Sequence, residues 1–359
     1  MTGNVPGRHW LKRAGELERM ARARGKAPTI LDIAAEAGVS KSAVSRALSG
    51  QGEVSAATRD RVELAARKLG YVANAMARGL VASQTKTVGV LLRDVTRPFY
   101  AWLQTAMQRA AEDRGYQIVT ATSAADLGVA DALRALTSLV SLQVDGLVVS
   151  SARLPSEEIV PFIERVPIVV AGRRETSRGI TSVFCDDADG GTMLAEHLLQ
   201  LGHGRIAVVL TDQSYSLSQY ARGISMIERI RAAGKTAVVW EAASDREAGQ
   251  VITDRIDGSG VTAIMCPTDS AAVDALEVLR RRGESAPEEY TVTGYDGFGP
   301  LATPYLGLTT FRQPVEEIGR TSIELLIDRI EGKTDQDRLV ELRGTLVEGR
   351  TAAGVRRPA

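Results

Sequence analysis

From about residue 86 to residue 330 the chain alternates short apolar runs with amphipathic stretches, and this alternation constrains the fold more than any other feature. Strand-like runs stand at 88–92, 146–149, 168–171, 206–210, 237–240, 263–266 and 291–295. Helical periodicity covers 100–114, 131–142, 189–201, 217–233, 269–282 and 315–330. Apolar strands separated by crossover helices give parallel sheets covered on both faces. About 270 residues of such sequence exceed what one core organises, so an α/β body of two lobes is expected. No apolar run reaches the length of a membrane span. Cys185 and Cys266, far apart in the chain, fit ordinary buried thiols in a reducing cytosol.

The amino-terminal part has a different pattern. Residues 30–48 read as two short helices joined by a tight turn. Thr29 is placed to cap the first helix, and Asp32, three positions on, makes an acidic capping box. Ile30, Ile33, Ala34 and Ala37 put an apolar stripe on one face, and Gly38 is suited to the left-handed turn that ends a helix. Ser40 can cap the next helix, where Val44 and Leu48 point inward. Lys41, Ser42, Ser45 and Arg46 are left outside, available to phosphates and base edges. A third helix is expected from Ser55 to Leu69, with Gly70 as its stop. Spacing alone also fits a small solvated helical hairpin.

Charge separates the two readings. The first 82 residues hold 14 Lys and Arg against 7 Asp and Glu. The whole chain holds 44 of each, so the remainder carries 30 basic and 37 acidic residues. A neutral total hides a basic head on an acidic body, which points to nucleic-acid contact at one end. Residues 1–27 form a basic extension, either an arm that adds non-specific DNA affinity or a disordered segment. It lacks the apolar core of a secretory signal, which favours a cytoplasmic protein.

Residues 29–82 resemble the DNA-binding headpiece of the LacI/GalR family of transcription regulators, through the runs TILDIAAEAGVSKSAVSRALSG and VSAATRDRVELAARKLGYVANAMARGL. The resemblance implies a helix-turn-helix domain over 28–72 whose second helix reads the major groove. Lys41, Ser42 and Arg46 would then meet bases, with Thr29, Ser40 and Ser45 on phosphates. It also implies a hinge helix within 73–85, where Asn74, Ala77 and Arg78 fit the family pattern and Leu80 takes the minor-groove wedge position. Ala73 replaces the usual proline, and Gly79 lies inside that helix at a cost of roughly 1 kcal/mol relative to alanine. An apolar wedge between base pairs kinks the duplex and so reads its deformability.

Residues 86–351 resemble the same family's effector-binding and dimerisation domain, a two-lobed fold shared with periplasmic sugar-binding proteins; a tail follows at 352–359. The recognisable pieces include RPFY, VDGLVVSS, VPIVVAGR, LGHGRIAVV, PTDSAAVDAL, VTGYDG and LTTFRQPVEEIG. In such folds the ligand sits beyond the carboxyl ends of the strands. Asp296 is the leading candidate, since a carboxylate accepts two hydrogen bonds from vicinal hydroxyls. Thr268, where the family commonly has asparagine, and Asp269 follow another strand; Arg173 follows a third, and Gln313 lies in the crossover region. Phe99 and Tyr100 could offer an aromatic face to a sugar ring. Tyr220 stands where the family places an arginine that binds the effector, and Arg222 is displaced from it by two positions.

Catalysis finds little support. Residues 297–302 match G-x-G-x-x-A, but late in the chain and interrupted by Pro300. The three histidines, His9, His197 and His203, do not cluster in sequence, no metal-ligand spacing appears, and no nucleophile elbow is present. The expectation is a cytoplasmic, homodimeric regulator, not an enzyme and without cofactor or metal. It would bind double-stranded operator DNA and a small effector, a sugar, polyol or related metabolite, and no membrane. A solute-binding transport receptor and an α/β enzyme with an accessory DNA-binding head are the alternatives.

Overall fold

The structure, a computed structural model, describes residues 28–49, 53–71, 84–122 and 128–355. The chain divides into two compact units, Met1–Thr85 and Lys86–Ala359.

Among the described residues of the smaller unit, three helices form where the local signals put them. Helix α1 (Ile30–Ala37) opens on a reciprocal cap: Asp32 N–H donates to the Thr29 hydroxyl at 3.4 Å, and the Asp32 carboxylate accepts Thr29 N–H at 2.7 Å. Gly38, at φ 62°, closes it. The Ser40 hydroxyl accepts the Ala43 N–H at 3.2 Å and opens α2 (Lys41–Ser49). Helix α3 (Ala56–Leu69) runs from Ser55 to left-handed Gly70. Ile33, Ala37, Val44, Ala47, Val62, Ala65 and Ala66 form the core, with Leu48 and Leu69 packed against it.

The larger unit holds two six-stranded sheets. The first lobe contains β1 (Thr87–Leu92), α4 (Pro98–Asp113), β2 (Gln117–Thr122), α5 (Val129–Ser141), β3 (Gly146–Ser150), α6 (Ser156–Ile159), β4 (Ile168–Ala171) and β5 (Ile180–Cys185). The second contains α7 (Asp187–Gln200), β6 (Arg205–Thr211), α8 (Leu217–Ala232), β7 (Thr236–Ala242), α9 (Ala248–Arg255), β8 (Ala263–Met265), α10 (Asp269–Arg282), β9 (Thr291–Asp296) and β10 (Thr309–Arg312). Then α11 (Val315–Ile330) and β11 (Leu339–Leu342) return to the first lobe, and β12 (Thr345–Val347) to the second. The chain thus passes between lobes at Asp186, at Gln313–Pro314 and at 343–344.

Strand order is β11-β5-β4-β3-β1-β2 in one sheet and β12-β10-β9-β8-β6-β7 in the other. All described pairings are parallel except β10 with β12, so the expectation of purely parallel sheets is corrected at one edge. Strands β2, β5, β10, β11 and β12, absent from the sequence reading, are either half-exposed (β2, β11), rich in Thr and Ser (β5, β10) or only three residues long (β12). Their apolar runs are too diluted or too brief to stand out. The buried strands read from the sequence fill clusters on both faces of each sheet, as parallel sheets demand. Among the described residues no helix is long and apolar enough to cross a membrane.

Candidate functional site

A cavity of about 70 Å³ opens between the lobes. On that measure one water takes about 10–15 Å³, so the space suits a small molecule and not a polymer. Every wall segment follows the carboxyl end of a parallel strand: Arg93 after β1, Ala152 after β3, Gly172 after β4, Tyr215 after β6, Asp245 after β7, Thr268 after β8 and Asp296 at the end of β9. This is where open α/β sheets leave an unfilled crevice.

The β1–α4 loop supplies Arg93 and Arg97, and the first turn of α4 supplies Phe99 and Tyr100. Gly172, at φ 87°, lets the Phe99 ring lie close, since a side chain there would come within 2.9 Å of it. Phe99 meets Tyr100 edge-on with ring centres 5.2 Å apart. In the second lobe Asp245 accepts the Tyr215 hydroxyl and, from across the cleft, the Arg97 guanidinium on one oxygen, each at 2.7 Å, and the Thr268 hydroxyl on the other at 3.3 Å. The Arg93 guanidinium lies 4.2 Å from the Tyr215 ring centre.

Arg222, on α8, is held from three sides. Its Nε and Nη2 donate to Asp187 at 3.0 and 2.6 Å, and its Nη1 donates to the Pro267 carbonyl at 2.9 Å. The guanidinium stacks 3.6 Å from the Tyr295 ring centre. Its Nη1 also lies 3.8 Å from Asp296. The Gln313 amide donates to the Asp296 carboxylate at 2.9 Å, and the Gln313 backbone N–H donates to the Asp296 carbonyl at the same distance. Asp296 sits at φ 125°, a conformation that side chains rarely adopt. Such strain costs of order 1–3 kcal/mol and gathers at ligand sites. Burial pushes its carboxyl upward while Arg222 opposes the shift; burial likewise raises Asp187 against Arg222.

Of the residues proposed from the sequence, Phe99, Tyr100, Arg222, Thr268, Asp296 and Gln313 line the cavity together. Three others do not. Arg173 donates to the Ser151 and Leu154 carbonyls and to Glu175 at 2.9 Å, bracing the loops behind the wall. Burial opposes ionisation of Glu175, yet bonds from Ser156, Ser177 and Arg173 hold its carboxyl down to about 2. Asp269 is turned inward, accepting the Thr310 hydroxyl at 2.6 Å and the Gly297 N–H at 2.8 Å, and so ties β9 to β10. Tyr220 does not line the cavity, whereas Arg222 brings a guanidinium to its wall from two positions later. Sequence reasoning missed Arg93, Arg97, Tyr215, Gln219 and Asp245. The rule that found Asp296 would have found Arg93 and Asp245, which follow β1 and β7, had it been applied to every strand end.

In the smaller unit Thr29, Ser40, Lys41, Ser42 and Arg46 are exposed and Ser45 is half-buried. The Thr29 and Ser40 hydroxyls serve as helix caps. Asn74, Ala77, Arg78 and Leu80, with Ala73 and Gly79, lie outside the described residues. Among the described residues no group of acidic, His and Cys side chains is placed to hold a metal.

Comparison with known proteins agrees with this geometry. Residues 29–74 match the model of the lacI family of bacterial regulatory proteins, and residues 195–352 match a periplasmic binding protein-like domain. The HTH-type transcriptional regulator CelR of Thermobifida fusca is 31% identical over 333 residues, 87% of this chain and 95% of that protein. The HTH-type transcriptional repressor PurR of Pectobacterium atrosepticum is 28% identical, across 90% of this chain and 97% of that protein. Among solved structures, the Lac repressor dimer bound to operator and the anti-inducer ONPF superposes with a TM-score of 0.79 at 25% identity, covering 91% of this chain and all of that one. A CelR–cellobiose complex superposes with a TM-score of 0.64 at 28% identity, covering 90% of this chain and all of that one. The chain belongs to the LacI family of bacterial regulatory proteins.

Proposed function

We propose that this chain is an effector-responsive repressor that reads operator DNA through α2 and senses a small polar metabolite in the interlobe cavity. The observation that carries the sensing half is the set of three arginines and two aspartates around so small a space. Arginines donate to ring and hydroxyl oxygens, the aspartates accept from hydroxyls, and Phe99 and Tyr100 offer an apolar face. That combination suits a sugar, polyol or related metabolite. Two similar regulators hold small ligands: CelR in complex with cellobiose, and the Lac repressor with operator and the anti-inducer ONPF. The DNA half rests on the basic head, the exposed Lys41, Ser42 and Arg46 on one helix, and relatives named as HTH-type regulators. In this reading residues 73–85 form the hinge, 86–351 the sensing and dimerising body, and two headpieces meet a pseudo-palindromic site. The cavity is a sensor and not a catalytic centre, in keeping with relatives that are transcription regulators.

The test has two arms. Lys41→Ala and Arg46→Ala lower discrimination between operator and random duplex by about 1–3 kcal/mol each in competition binding. A panel of sugars, polyols, nucleosides and phosphorylated metabolites is screened by thermal shift; an effector at a hundred times its Kd adds about 2.7 kcal/mol to the body's stability. Asp296→Asn abolishes that response and leaves operator binding intact. Unchanged specificity in both headpiece variants removes the groove assignment, and an undiminished thermal response in Asp296→Asn removes the cavity.

A further inference from the structure

We propose that Asp94, Arg97, Asp245 and Arg246 form an ionic latch across the mouth of the cleft, a protein-only set of contacts that favours the closed arrangement of the lobes. Each lobe supplies one anion and one cation. Arg97 of the first lobe donates to Asp245 of the second at 2.7 Å, and Arg246 of the second donates to Asp94 of the first at 2.6 Å. Arg97 also lies 4.0 Å from Asp94, which joins the two pairs into one chain of alternating charge.

The anions are preset sockets on their own lobes. Asp94, wholly buried, accepts the Thr96 N–H at 2.9 Å and the Thr96 hydroxyl at 2.6 Å. Asp245, 2% exposed, accepts Tyr215 and Thr268 from its own lobe. The arginines are the parts that cross. Parting the lobes would strip Asp245 of its guanidinium and Asp94 of the nearer of its two, which is costly for buried carboxylates where an exposed pair would lose little. Two further contacts bridge the same mouth: Leu217 N–H donates to the Ala152 carbonyl at 3.1 Å, and the Arg93 guanidinium stacks on the Tyr215 ring.

A metabolite entering the cleft therefore acts on an equilibrium that the latch already biases. Only this consequence rests on the proposed sensing role; the latch itself does not.

The experiment uses the full chain with Arg134→Cys on α5 and Arg281→Cys on α10, both exposed, carrying spin labels, while the native cysteines are buried. Interlobe distances are measured by electron-electron resonance with no DNA and no added metabolite. The labelled parent gives one narrow distribution. Arg246→Glu, at a half-exposed position that folding tolerates, moves population to longer distances, and Arg246→Lys keeps the parent distribution. Arg320→Glu, the same charge change at an exposed position of α11, changes nothing. Exchange of the Leu217 amide rises roughly tenfold in Arg246→Glu alone. A broad parent distribution, an Arg246→Glu distribution that superposes on the parent, or equal broadening in Arg320→Glu overturns the latch. Operator binding is not part of the readout, so failure here leaves the DNA-reading role standing.

Discussion

Arg173 and Asp296 both follow strands of the body, and their surroundings give them different work. Arg173 is 6% exposed and spends its donors on three carbonyls, those of Ser151, Leu154 and Arg174, and on Glu175. Removing it strands a buried carboxylate, so Arg173→Ala loses about 3–5 kcal/mol in urea denaturation. Its direct effect on ligand contacts is nil, because it does not line the cavity. Glu175 has a folded-state value of about 2, below its ordinary 4.5. Its stabilisation is therefore complete above about pH 4.5 and is lost as pH falls toward 2. Glu175→Gln should flatten the acid limb of the body's stability profile, measured by denaturation at a series of pH values. Asp296, in contrast, keeps a strained backbone and a half-buried carboxylate on the cavity wall, and its conservative replacement is the variant expected to silence the effector response.

Helix ends and helix crossings set the precision of the next level. The cap at Thr29 is worth about 0.5–2 kcal/mol, so Thr29→Ala speeds amide exchange in α1 without touching the body. Any phosphate contact at Thr29 competes with this role, since the hydroxyl is already a cap. In the body α7 crosses α8 closely enough that a side chain at Gly191 would meet the Arg222 carbonyl at 2.4 Å, and one at Gly190 would meet the Tyr295 hydroxyl at 2.3 Å. Gly191→Ala therefore pushes α8 away and takes Arg222 out of register with Asp187. Overpacking of this kind costs about 1–3 kcal/mol, and calorimetry should show weaker effector binding beyond the loss of stability. If only stability falls, Arg222 does not depend on that crossing.

At the scale of the molecule, the three passages between lobes are short, at Asp186, at Gln313–Pro314 and at 343–344. Two of them carry or adjoin cavity groups: Gln313 lines the wall, and Asp187 anchors Arg222. On the proposed sensing role, a ligand touching these groups would bear directly on lobe geometry. A coupling of about 1–3 kcal/mol between cavity and headpieces would change operator affinity roughly 5–150-fold. Titrating an identified effector against operator-bound protein should return the same factor as titrating operator against effector-bound protein, and unequal factors would show that a third equilibrium intervenes.

The sequence by itself determined what depends on neighbours within a few residues. The caps at Thr29 and Ser40, the stops at Gly38 and Gly70, helices 269–282 and 315–330, and the buried strands were all legible, because helix ends and apolar periodicity are local. The order of strands, the antiparallel edge at β12 and the return of α11 to the first lobe were not. Nor was the sorting of Arg173, Asp269 and Tyr220 away from the cavity. A strand end tells which residues emerge near a crevice; whether a side chain turns into it depends on hydrogen bonds to residues far along the chain. Arg97 with Asp245, 148 positions apart, meet only once two lobes have folded and closed. Such pairings leave no periodic trace, so tertiary structure alone decides them.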